Sequence, residues 1–136
     1  MTYILDACSL VAVFKGEKGA DKVKTLLDEA QAGETVIYMN TVNLIEIYYL
    51  FYRALGKEKS ALVLEQIFAL PINFINTIDD VIFSEASRIK AQYAIPLGDS
   101  VGIATAIKMG GTFVTSDHSD FEPIEESEDI PFFWFR

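Results

Sequence analysis

The strongest constraint on the fold is an alternation. Short apolar runs rich in β-branched and aromatic residues recur along the chain, and longer stretches of helical periodicity separate them. Thr2–Leu5, Val36–Met39, Ile72–Ile75 and Thr112–Thr115 read as strands, and Pro131–Phe135 as a fifth. Between them the spacing predicts helices over Ser9–Phe14, Gly19–Gln31, Thr41–Leu55, Lys57–Leu70, Ile78–Tyr93 and Asp99–Met109. Gly16, Gly33, Gly56, Pro71 and Gly110 stand where those helices should stop. Strands joined through helices make a parallel sheet with both faces covered. The expected architecture is therefore α/β, a three-layer α/β/α sandwich around a mostly parallel sheet of four to five strands. A chain of 136 residues suits a single domain over 1–136.

In such sheets ligands gather beyond the carboxyl ends of the strands. Asp6 falls just past the first strand and Asp117 just past the fourth, so both belong at one edge. Glu46 is the only charge between Val42 and Tyr52. A helix apolar nearly all round is expected to be buried, and a buried carboxylate needs a partner, a metal or a raised pKa. Asn43, one turn earlier, can support it, whereas Arg53 is two turns on and poorly spaced for a pair. Asp99 opens the helix that follows Ile95-Pro96-Leu97-Gly98.

Each of these acids also has a plain structural reading. Asp6 and Asp99 can cap helices, and Asp117 can sit in a polar turn with Asp120 as a weaker candidate beside it. Together they define a type of site. Carboxylates converging at one edge repel one another, and a divalent cation resolves the conflict. Oxygen ligands without a histidine or cysteine set suit Mg²⁺ or Mn²⁺ rather than zinc. Such a centre can activate water and stabilise charge on a phosphodiester.

Composition narrows the class further. The net charge of −9 excludes a protein that coats nucleic acid through bulk positive charge. The acidity is uneven, since residues 117–129 hold seven acids and no lysine or arginine. The single cysteine, Cys8, permits no intrachain disulfide, which suits a cytoplasmic setting. The apolar run from Tyr3 to Phe14 is too short to span a bilayer, so no membrane association is expected. His118 is expected as an exposed turn residue, and Tyr48, Tyr49, Phe51 and Tyr52 as core or interface. Lys15, Lys18, Lys22 and Lys24 form a candidate phosphate-contact surface. Phe132–Phe135 is expected as an edge strand packing on the core.

Five ordered segments carry a resemblance. They are Leu5-Asp6-Ala7-Cys8-Ser9-Leu10 followed by Glu17-Lys18-Gly19-Ala20, then Asn43-Leu44-Ile45-Glu46, then Leu97-Gly98-Asp99-Ser100, then Thr115-Ser116-Asp117-His118-Ser119-Asp120-Phe121. In that order they resemble the motifs of the PIN-domain ribonucleases, specifically the VapC-type toxins of toxin–antitoxin pairs. The resemblance implies a PIN-like fold and Mg²⁺- or Mn²⁺-dependent endonucleolytic cleavage of RNA. It implies that Asp6 and Asp99 are the principal metal ligands and that Asp117 completes the cluster. Glu46 would bind the metal directly or through water, or orient the attacking water. Ser9 and Thr115 would support the site by hydrogen bonds. The implied partners are an RNA substrate, a small antitoxin and a second copy of the chain in a homodimer. Gly102 departs from the pattern, where a larger residue is common.

Two other classes compete. One is an interaction or RNA-processing module on the same fold without a toxin role. The other is a receiver or dehalogenase-type phosphoryl-transfer domain. The latter wants a second acid close to the first, where this chain has Ala7 and Cys8.

Overall fold

A computed structural model describes residues 1–136. In chain order its elements are β1 (Thr2–Leu5), α1 (Ala7–Lys15), α2 (Ala20–Gln31), β2 (Val36–Asn40), α3 (Thr41–Phe68) and β3 (Asn73–Ile75). There follow α4 (Asp80–Gln92), α5 (Leu97–Met109), β4 (Thr112–Thr115), α6 (His118–Ser127) and β5 (Phe132–Trp134). All four strand pairings are parallel, and the sheet order is β3-β2-β1-β4-β5.

The two-residue alternation of a strand splits its side chains between two layers. In β1, Tyr3 and Leu5 join a cluster with Leu10 of α1, Val23, Leu26 and Leu27 of α2, and Leu44, Ile47 and Phe51 of α3. Ile4 points the other way, into a cluster with Ile89 of α4, Ile103 and Ala106 of α5, and Phe121 and Ile124 of α6. The first three helices therefore cover one face and the last three the other. The chain moves outward from β1 to β3 on one face, then outward from β4 to β5 on the opposite face. Reversing direction and face together keeps the crossovers of one hand. The crevice at the reversal lies between β1 and β4, whose next residues are Asp6 and, after Ser116, Asp117.

One local reading of the sequence is borne out and two change. The helices expected over Thr41–Leu55 and Lys57–Leu70 are both present and meet at Gly56, whose φ 83° and ψ 174° put a kink inside α3. Only glycine accepts that backbone readily, so the break is written in the residue even though the helix resumes at once. Asp99 does not cap α5; the helix begins at Leu97, after Pro96, and Asp99 lies in its first turn. The segment after β4, expected as a polar turn at Asp117 and Asp120, opens α6, capped by Asp117, whose side chain accepts from the Asp120 N–H.

Gly102 also gains an explanation. It is buried in α5, and a β-carbon there would meet the Phe113 ring at 3.1 Å. The helix gives up intrinsic stability so that it can press against β4.

Candidate metal centre

Asp6 is 4% exposed. Its extended backbone ends β1, and one carboxylate oxygen accepts from the Ala7 N–H at 2.8 Å, capping α1. The other oxygen accepts from the Thr115 hydroxyl at 2.8 Å and the Cys8 thiol at 3.2 Å. Ser9 donates to the backbone carbonyl of Asp6. The capping role and the site role thus belong to the same side chain, because the cap leaves the second oxygen free to turn towards β4. Burial raises the Asp6 pKa from 3.8 to about 6, against the lowering effect of those donors. The Cys8 thiol is pushed up to about 12, first by burial and then by the charge of Asp6. It is a protonated donor to Asp6, not a nucleophile.

Glu46 is fixed from two sides. The Asn43 amide donates to Oε1 at 2.9 Å and to the Gly98 carbonyl at 3.1 Å, tying α3 to the start of α5. The Gly98 α-carbon lies directly under the carboxylate, where a β-carbon would fall 2.6 Å from Oε1. No Arg53 partner is involved; that guanidinium lies 5.1 Å from the centroid of the Tyr49 ring. The helix that carries Glu46 is not buried all round. Leu44, Ile47 and Phe51 face the core, while Ile45, Tyr49, Leu50, Tyr52 and Leu55 are exposed.

Asp6, Glu46, Asp99 and Asp117 line one cavity of about 240 Å³, together with Ala7, Cys8, Val11, Tyr49 and Leu50. Asp99, Asp117 and Asp120 place carboxylate oxygens within 4.8 Å of one another. The two sets share Asp99 and Asp117. The Asp99 pKa is pushed up to about 8, first by burial, then by the charge of Asp6, the Asp120 side chain and Glu46. Asp120 is raised as well, first by burial. The sequence ranked Asp120 below the others because the turn after β4 hid α6. The signal was present: Asp-x-x-Asp is an N-terminal helix pattern, with the cap and the third residue on one side.

Anionic oxygens packed this closely, with no cationic side chain lining the cavity, form a donor set for a hard divalent cation. The candidate supports divide by distance. Thr115 touches Asp6 directly, whereas Ser9 acts on the Asp6 backbone. His118 lies outside the cavity, stacked on Trp134 with ring centroids 4.1 Å apart and bonded to Glu122 at 2.8 Å.

Residues 3–126 match the family model described as PIN domain. The chain belongs to the PIN-domain family. No curated protein matches the sequence. Among solved structures, this PIN domain is similar to a chain of VapBC2 from Rickettsia felis bound to a DNA fragment from their promoter. That match has a TM-score of 0.77 and 19% identity, over 98% of each chain. It is similar to a chain of VapBC-1 from nontypeable Haemophilus influenzae, with a TM-score of 0.75 and 18% identity, over 99% of this chain and 98% of that one. A chain of DNA-bound VapBC from Salmonella typhimurium gives a TM-score of 0.74 and 17% identity, over 100% and 99%. The shared feature at these identities is the fold. No helix of this PIN domain is long and apolar enough to cross a membrane.

Proposed function

We propose that this PIN domain is a Mg²⁺- or Mn²⁺-dependent endoribonuclease and the toxin of a toxin–antitoxin pair, acting in the cytoplasm as a homodimer. The observation that carries the reading is the convergence of Asp6, Glu46, Asp99 and Asp117 on one cavity at the crevice between β1 and β4. Similarity to VapBC complexes supports the toxin assignment and an antitoxin partner.

Asp6 and Asp99 are the principal ligands in this reading, with Asp117 and Glu46 completing the set. When bound, the cation would offset the carboxylate charges, polarise the scissile phosphate and lower the pKa of an attacking water. The chain's own residues prepare the rest. Thr115 and Cys8 fix the second oxygen of Asp6, so the carboxylate enters the cavity in one orientation. Asn43 holds Oε1 of Glu46, leaving that carboxylate placed to orient the water and accept its proton. Asp120 adds negative charge beside Asp99 and Asp117, which would strengthen the hold of the cluster on a divalent cation.

The test is cleavage of single-stranded RNA with Mg²⁺ or Mn²⁺ added, compared with EDTA. Wild type should cut and Asp6→Asn should not, with the circular dichroism spectrum unchanged. Metal-independent cleavage, or full activity in the Asp6→Asn protein, would overturn the assignment. Light scattering tests the dimer. Co-purification with the product of an adjacent small gene tests the antitoxin.

A further inference from the structure

The acidic cavity has one wall that the chemistry of the carboxylates does not use. Tyr49 and Leu50 line it, on the same helix as Glu46 and one turn later. Tyr49 is 44% exposed and Leu50 42%. Arg53 follows Tyr49 by one further turn and holds its guanidinium 5.1 Å from the Tyr49 ring centroid. It is the only lysine or arginine between Thr41 and Gly56. The core does not account for this aromatic, because α3 already buries Leu44, Ile47 and Phe51 on its other side.

We propose that Tyr49, backed by Arg53, is a base-stacking step that receives an unpaired nucleotide next to the scissile phosphate. The proposal rests on the ribonuclease reading for the direction of the strand. Three observations place the ligand. The ring is continuous with the cavity that would hold the reacting phosphate. An exposed aromatic face offers stacking to any base, a sequence-tolerant contact used by proteins that bind single strands. The guanidinium beside it supplies the positive charge that an otherwise acidic rim lacks, and it can meet the phosphate flanking the stacked base. A paired base keeps both faces inside its helix, so the step selects single-stranded RNA over duplex.

The experiment measures binding of a short fluorescein-labelled RNA, alone and annealed to its complement, to the full chain in Mg²⁺. The Asp6→Asn background prevents cleavage. Single-strand binding should exceed duplex binding, and adding Tyr49→Ala should weaken it roughly 5- to 150-fold while Tyr49→Phe stays within about twofold. Duplex binding should not move. Unchanged single-strand affinity in the Tyr49→Ala protein overturns the proposal. So does a change of oligomeric state by light scattering with RNA binding intact, which would make the face a protein interface. Cleavage by the wild type separates the two readings. If wild type cuts RNA but Tyr49 does not matter, only the stacking step fails. If Tyr49-dependent single-strand binding occurs without metal-dependent cleavage, the step stands and the ribonuclease reading fails.

Discussion

The Glu46 carboxylate rests on the bare α-carbon of Gly98, so closely that a β-carbon there would fall 2.6 Å from Oε1 and 2.7 Å from Cδ. The obstacle is the end of a side chain, which can swing away at little cost. Gly98 also lies in the first turn of α5, where alanine is the better helix former. Gly98→Ala should therefore leave stability unchanged or raise it by up to about 1 kcal/mol while displacing Glu46. RNA cleavage should fall by roughly tenfold or more, as for a misplaced general base. Thermal melting and a cleavage assay on the same preparation check both halves.

Gly102→Ala should behave in the opposite way. The new β-carbon meets Phe113 at 3.1 Å and 3.2 Å, and Phe113 is fully buried between α5 and the rings of Phe121 and Phe132. That ring cannot retreat. The strain should outweigh the helix gain and cost about 1 kcal/mol net, seen as a melting point lower by a few degrees.

The metal-free protein should lose stability as pH rises. Asp6 is raised from 3.8 to about 6 and Asp99 from 3.8 to about 8. The native state thus holds protons that the unfolded chain has already released. The resulting stabilisation is complete below about pH 4 and disappears as pH climbs through 6 and then 8. For Asp6 alone the ceiling is roughly 3 kcal/mol; Asp99, more open to solvent, contributes less for the same displacement. Melting curves from pH 5 to pH 8.5 in EDTA should show the fall. Mn²⁺ or Mg²⁺ should reverse it near pH 8 and do little near pH 5, because cation and proton compete for the same oxygens.

Asp120→Asn should separate charge from fold. It removes one of three carboxylates packed within 4.8 Å while keeping the size of the side chain. Metal-free stability at neutral pH should rise, because repulsion is relieved. Affinity for Mn²⁺ by calorimetry should fall roughly 10- to 100-fold. Unchanged affinity would place Asp120 outside the centre.

The central strands were legible because β1 and β4 are buried on both faces, and such strands read as unbroken apolar runs. Asp6 and Asp117 followed from topology: each stands just beyond a strand end on either side of the reversal in the sheet. The sequence signal at Glu46 holds only in part. Its isolation among apolar residues is real, but four of them, Ile45, Tyr49, Leu50 and Tyr52, face solvent rather than core. Periodicity within one helix cannot tell a buried stripe from an exposed apolar one. The missed helix, α6, carries Pro123 and a dense run of acids, both of which lower helical expectation. Its fold is set by Phe121 and Ile124 docking under β4, a long-range contact that local sequence does not reveal. The same long-range contact hides the role of Asp120 from local sequence.

The acids of the cavity hang from opposite layers of the sandwich. Asp6 caps α1 and Glu46 lies in the second turn of α3, on one face of the sheet; Asp99 lies in the first turn of α5 and Asp117 caps α6, on the other. Neither half of the molecule contains a working set. A bound cation would act as a rivet through the sheet, and loosening either layer would scatter the ring before the chain as a whole came apart. Chemical competence is therefore a more sensitive gauge of the native state than secondary structure, and it should vanish first on heating.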